Sequence, residues 1–141
     1  MSSADSSQTI LVTGAAGRIG RYIVRDLVST GHSVLGADIG PAAEQNAPHL
    51  IMDLTDAGQT YQALARARAD AVVHMGAWAN AGMVADTRTY GDNVRGTYNL
   101  FQACADLGIK RIVSASSNQV FGIAYAPPLY APLDEERPLR P

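Results

Sequence analysis

The stretch TILVTGAAGRIGRYIVRDLVSTG, residues 9–31, constrains the fold more than any other part of this chain. Residues 9–13 are apolar and β-branched, the composition of a strand buried on both faces. From Gly17 the period changes: Ile19, Ile23, Leu27 and Val28 recur at helical spacing, and Gly31 stands where a helix stops. Between strand and helix lies Gly14-x-x-Gly17-x-x-Gly20, preceded by Thr13. Glycines at such a junction permit a tight turn and a close approach of backbone to a ligand. The helix they open offers unpaired N–H groups and the positive end of its dipole, a site for an anion such as a pyrophosphate. A bare three-glycine pattern is weak evidence. After a first strand and before a helix, it predicts a dinucleotide site.

The same alternation continues. HSVLGAD (32–38) reads as a second strand ending on an acid, and Gly40, Pro41, Asn46 and Pro48 make a loop after it. LIMDL (50–54) is a short strand-like piece, and residues 57–68 form an Ala-rich helix. DAVVHMGA (70–77) reads as a buried strand, residues 94–107 as a helix closed by Gly108, and KRIVSA (110–115) as a further strand. Alternating strands and helices imply a parallel sheet with right-handed crossovers. The expected fold is α/β: a partial Rossmann fold, a doubly wound parallel sheet truncated at its C-terminal side. Its expected strand order is 3-2-1-4, with 110–115 as the fourth strand and 50–54 as a marginal extra.

One domain is expected from 141 residues, 47% hydrophobic and 17% charged. Residues 1–8 read as a disordered leader, 9–122 as the incomplete nucleotide-binding domain, and 123–141, with five of the seven prolines, as a Pro-rich tail. A net charge of -2 without a basic block argues against nucleic acid as a partner. Cys104 is alone, so no disulfide framework is expected, and its place on an apolar helix face reads as packing. No apolar run reaches the ~18 residues of a membrane span, and the first residues do not resemble a signal peptide. A cytoplasmic location is expected. His32, His49 and His74 lack partners at ligand spacing, so no metal site is read. His74 reads as a satisfied core histidine and Trp78 as core or pocket wall.

Two acids refine the site. Asp38 ends the second strand, eighteen residues beyond Gly20. A carboxylate there accepts hydrogen bonds from a ribose 2′-hydroxyl and repels a 2′-phosphate, which selects NAD over NADP. Asp53 could accept from the exocyclic amine of adenine while Leu54 covers the ring; a helix N-cap near residue 57 is an equal reading of Asp53.

Five motifs in order resemble the N-terminal part of an extended short-chain dehydrogenase/reductase of the NAD-dependent epimerase/dehydratase family. They are TGAAGRIG (13–20), DL (53–54), HMGA (74–77), NVRGT (93–97) and SASSNQVFG (114–122). The resemblance covers the chain from about residue 8 onward and implies NAD as cofactor. It implies cofactor contacts at Gly14, Gly17, Arg18, Ile19, Gly20, Asp38, Asp53, Leu54, Gly76, Ala77, Asn93 and Ser116. It places the catalytic hydroxyl at Ser117, with Asn93 bracing the active site. Asn118 and Gln119 would read the substrate, a sugar, sugar acid or nucleotide sugar; Asn118 directly after the serine resembles the uronate and sugar dehydrogenases. Ser117 alone has a plainer reading, a polar strand end capping its own turn.

The family's acid/base pair, Tyr-x-x-x-Lys, has no match here. Residues four beyond the six tyrosines are Asp26, Ala65, Val94, Gln102, Leu129 and Asp134, and Lys110 is the one lysine. The chain is therefore expected to bind NAD(H) without turnover, as a fragment of an oxidoreductase or epimerase, and to self-associate. A non-catalytic nucleotide-sensing or interaction module is the alternative.

Overall fold

The computed structural model describes residues 7–42, 46–80, 82–122, 134–136 and 138–139. Fourteen of the nineteen residues of the expected Pro-rich tail fall outside them, as do residues 1–6 of the expected leader. Residues 7 and 8 are tied to the fold: Ser7 Oγ donates to Gly31 O (2.9 Å) and Gln8 N donates to His32 Nδ1 (3.2 Å).

The chain runs β1 (Thr9–Thr13), α1 (Gly20–Ser29), β2 (Ser33–Asp38), β3 (His49–Ile51), α2 (Ala57–Ala67), β4 (Ala71–His74), α3 (Asp86–Asp106) and β5 (Arg111–Ser114), then a 3₁₀ turn, Asn118–Phe121. The five strands form one parallel sheet in the order β3-β2-β1-β4-β5. This corrects the expected order. The segment at 49–51 is a true edge strand beside β2, and 71–74 lies beside β1 with 111–114 outside it. β3 escaped full recognition because three residues carry too little pattern, and its pairing comes from Gly36, Ala37 and Asp38 across the gap.

Alternation along the strands sends side chains to two cores. Leu11, Ala37 and Val72 pack with Ala63 and Leu64 of α2 and Leu100, Ala103 and Cys104 of α3. On the opposite face Ile10, Val12 and Val34 pack with Val24 of α1. Leu11, Val12, Leu64 and Leu100 are fully buried, worth about 1.5–3 kcal/mol each relative to exposure. Burial also raises the pKa of the Cys104 thiol, as befits a packing residue.

Glycines end α1 and α3 as expected, Gly31 (φ +91°) and Gly108 (φ +73°) taking the left-handed C′ position. The helix expected over 94–107 begins eight residues earlier, at Asp86. Its first two turns, DTRTYGDN, are too polar to show an apolar period. The cap of α2 is Asp56, which accepts from Gln59 N; Asp53 does not cap it. That hydrogen bond to the Gln59 backbone heads the causes that hold the Asp56 carboxyl below its ordinary pKa.

Candidate dinucleotide site

A cleft of about 260 Å³ opens at the C-terminal ends of β1, β2 and β4. Ligands of open α/β sheets bind at this end, where the chain crosses from one side of the sheet to the other. Its walls include Gly14, Gly17, Asp38, Asp53, Leu54, Gly76, Ala77 and Asn93, eight of the residues singled out in the sequence. Because it is smaller than the ~300–1,000 Å³ of sites that enclose a drug-sized ligand, it would hold part of a dinucleotide, with the rest lying along the open strand ends.

The glycine turn is built by close contact. Gly14 sits at φ +67°, and a Cβ there would lie 2.6 Å from the Met75 carbonyl. At Gly20 a Cβ would lie 2.0 Å from Gly14 O, so only glycine lets the first turn of α1 fold back on the loop. Gly17 N donates to Gly14 O (3.0 Å). The start of α1 carries no side-chain cap and no acid in its first turn. Its terminal N–H groups and dipole thus meet no carboxylate of their own helix, which leaves them suited to a bound anion. Gly20, Arg18 and Ile19 shape this turn but do not line the cleft.

Asp38 belongs to the same loop. One oxygen accepts from Ala16 N (3.0 Å) and the other from Gly40 N (3.3 Å). Each carboxylate oxygen has a second lone pair, so the group still accepts from a diol. Asp53 Oδ1 accepts from both the backbone and the hydroxyl of Thr55 (2.8 Å each), which fixes the turn where Asp53 lines the cleft. Leu54 wedges between two glycines: its Cδ1 would be 2.6 Å from a Cβ at Gly76, and its Cβ 2.9 Å from one at Gly96.

The far wall is a polar cluster that the sequence reading found only in part. Asn93 Oδ1 accepts from Trp78 N (2.8 Å) and Asn93 Nδ2 donates to Trp78 O (3.1 Å). Trp78 Nε1 and the Arg88 guanidinium both donate to Asp92 Oδ2 (3.0 and 2.9 Å), and Arg88 lies 5.8 Å from the indole centroid. The Trp78 bond first, then Arg88, holds the Asp92 carboxyl below its ordinary pKa. Asp92 was missed because a lone acid in a polar helix start has no pattern. Of the two places expected for Trp78, core or pocket wall, it takes the second.

The serine segment does not join the cleft. Ser116 and Ser117 are exposed, and Ser117 Oγ accepts from Gln119 N (3.2 Å) as the cap of the 3₁₀ turn. The plainer reading of Ser117 is therefore the contact the structure displays. Asn118 opens that turn, its side chain lying outside the described residues.

A parallel doubly wound sheet, a glycine turn into α1 and an acid closing β2 define a dinucleotide-binding α/β domain. Residues 10–141 match the NAD dependent epimerase/dehydratase family, and the chain belongs to it. The chain is 32% identical over 139 residues to UDP-glucose 4-epimerase of Lactobacillus helveticus, covering 94% of this chain and 41% of that one. It is 30% identical over 116 residues to uronate dehydrogenase of Pseudomonas putida, covering 80% and 42%. Among solved structures, a short-chain dehydrogenase/reductase superfamily protein of Agrobacterium tumefaciens with bound NAD superposes with a TM-score of 0.80 at 34% identity. That superposition covers 94% of this chain and 39% of the other. The chain thus spans about two-fifths of the length of the relatives it matches.

Proposed function

We propose that this chain is the NAD(H)-binding portion of an NAD-dependent epimerase, dehydratase or sugar dehydrogenase. The observation that carries the reading is the meeting of the Gly14–Gly20 turn and the Asp38 carboxylate at one cleft. The residues fit the cofactor: the turn is closed to any Cβ at two glycines, and the acid beside it keeps free acceptor capacity. Gly14, Gly17, Arg18, Ile19 and Gly20 would hold the pyrophosphate at the start of α1. Asp38 would hold the adenosine ribose, Asp53 and Leu54 the adenine, and Gly76 and Ala77 the middle of the molecule.

Bound NAD supplies a nicotinamide carbon that takes or gives a hydride at a substrate carbinol. Ser116 would lie beside the nicotinamide, and Ser117 would release its Gln119 contact to orient the substrate oxygen. Asn93 would brace the site through the Trp78 loop, while Asn118 and Gln119 read the substrate. Sugars, sugar acids or nucleotide sugars are the substrate class, a reading supported by the names of the relatives. No described helix is long and apolar enough to cross a membrane, and a cytoplasmic location is part of this proposal.

Trp78 makes the test direct, because it is the chain's one tryptophan and stands in the cleft wall. NADH bound there quenches indole emission by energy transfer, and NAD competes it off. A folded chain whose emission is indifferent to NADH would refute the reading. No turnover is expected from these 141 residues, which contain no Tyr-x-x-x-Lys.

A further inference from the structure

Below the cleft, the last residues of β1 and β4 share a buried contact. Thr13 Oγ1 lies 2.7 Å from His74 Nδ1 and 3.2 Å from Gly76 N. Across the ring, His74 Nε2 lies 3.2 Å from Thr97 Oγ1 on α3. Thr13 has no exposed surface and His74 only 5%. Counting protons on Thr13 assigns the tautomer. Gly76 N–H can only donate, so Thr13 Oγ1 accepts there. The single hydroxyl proton then needs an acceptor, and Nδ1 is the one within reach. A ring protonated at Nδ1 would leave that proton unpaired in a dry site, which is costly. Nδ1 therefore accepts, and Nε2–H donates to Thr97 Oγ1.

These bonds join the parts of the cleft to one another. Thr13 leads into the Gly14 turn, Gly76 lines the opposite wall, and Thr97 lies one helical turn beyond Asn93. We propose that His74, as the neutral Nε2–H imidazole, is the positioning residue of the cleft. It aims the Thr13 hydroxyl so that Gly76 is held against the glycine turn, and dinucleotide binding weakens when the ring takes a second proton. This rests on the dinucleotide reading of the cleft.

No ionisable side chain among the described residues is hydrogen-bonded to the ring. It meets Thr13 from β1 and Thr97 and the edge of Phe101 from α3, and Ser114 of β5 is its register partner. The acids of the cleft, Asp38, Asp53 and Asp92, make their hydrogen bonds elsewhere. Burial without a charged partner lowers the ring's pKa, in keeping with a neutral working form.

The test uses the full chain. Long-range ¹H–¹⁵N correlation should show His74 protonated at Nε2 alone near neutral pH. NADH titrations read by Trp78 should hold steady between about pH 8 and pH 6.5 and weaken below that, by about tenfold once the pH lies one unit under the pKa that the same spectra give for the ring. Thr13→Val should weaken binding about tenfold and flatten the profile, and Thr13→Ser, which restores the hydroxyl, should recover both. An Nδ1-protonated or doubly protonated ring at neutral pH overturns the proposal, as does a flat profile in a chain that binds NADH. If Thr13→Val does not fold, the two measurements on the unaltered chain decide. A folded chain that binds no NADH at any pH overturns the dinucleotide reading itself, and this proposal with it.

Discussion

Asn93 holds both backbone polar groups of Trp78, its Oδ1 accepting from Trp78 N and its Nδ2 donating to Trp78 O. One side chain thereby fixes the loop after β4 as a neighbouring strand would. Asn93→Ala leaves two half-buried backbone groups to find water, at a cost of about 1–3 kcal/mol. The expected outcome is a lower urea midpoint, red-shifted Trp78 emission and weaker NADH binding. Unchanged emission would show that the clamp does not set the Trp78 wall.

In the proposed function Asp38 would decide cofactor choice. A carboxylate facing a 2′-phosphate is a like-charge contact that can cost several kcal/mol. Calorimetry should find NAD(H) bound in preference to NADP(H), and Asp38→Ala should narrow the gap. Because Asp38 also accepts from Ala16 N, the variant should lose some NAD affinity too. Equal affinity of the unaltered chain for both cofactors would remove Asp38 from the ribose position.

Two glycines should respond with opposite signs. Gly20→Ala puts a methyl against Gly14 O, a backbone atom with nowhere to go, and should destabilise by ~3 kcal/mol or more. Gly91 lies inside α3 with nothing within 4 Å of a Cβ. Gly91→Ala should stabilise by about 0.5–1 kcal/mol through helix propensity and a less disordered unfolded chain. Chemical denaturation of both variants checks the pair.

Buried neutral His74 makes stability depend on pH. Its folded pKa lies below the unfolded value of about 6.5, so the unfolded chain binds the extra proton more readily. The stability it contributes is complete above about pH 6.5 and is lost as pH falls from there toward the folded pKa. Thermal melts should drop across that window, and His74→Gln should remove this component of the slope.

The outer face of α3 bears on association. Tyr90, Val94, Tyr98 and Phe101 follow one another at intervals of three or four and are 76, 53, 66 and 41% exposed. Val113 on the edge strand β5 is 67% exposed, whereas its neighbour Ile112 packs against the core. An edge strand and an apolar stripe together favour self-association. Light scattering on a size-exclusion column should show species above monomer, reduced in Tyr98→Glu. Added NAD should raise the melting temperature by mass action. A high-melting monomer indifferent to NAD would set the expectation aside.

The fold was readable where periods were long. β1, α1 and β2 carry both an apolar pattern and glycine punctuation, and the glycine turn with Asp38 could be assigned from spacing alone. β3 and the start of α3 could not, because one is three residues long and the other presents polar side chains to solvent. Within the site, contacts that run along the chain were legible and contacts across it were not. The partnership of Thr13 with His74 depends on two strands lying in register, and the Trp78–Asp92 bond on a helix start that no pattern announces. Ser117 Oγ caps the 3₁₀ turn through Gln119 N, a contact between near neighbours that the polar run at the end of β5 already offers.

Leu54 and the two glycines it touches share a single volume. At position 76 the obstructing atom is Cδ1, the far end of a side chain that can swing away or be trimmed to valine. At position 96 it is Cβ, which every residue but glycine possesses. Positions 54 and 76 can therefore trade a methyl group only if Thr13 Oγ1 and Gly14 N, 3.2 and 3.3 Å from a Cβ at 76, also give way by a few tenths of an ångström. Position 96 has no such bargaining partner, and the crossing of α3 over the loop after β3 fixes how near this chain's two halves of the cleft can ever come.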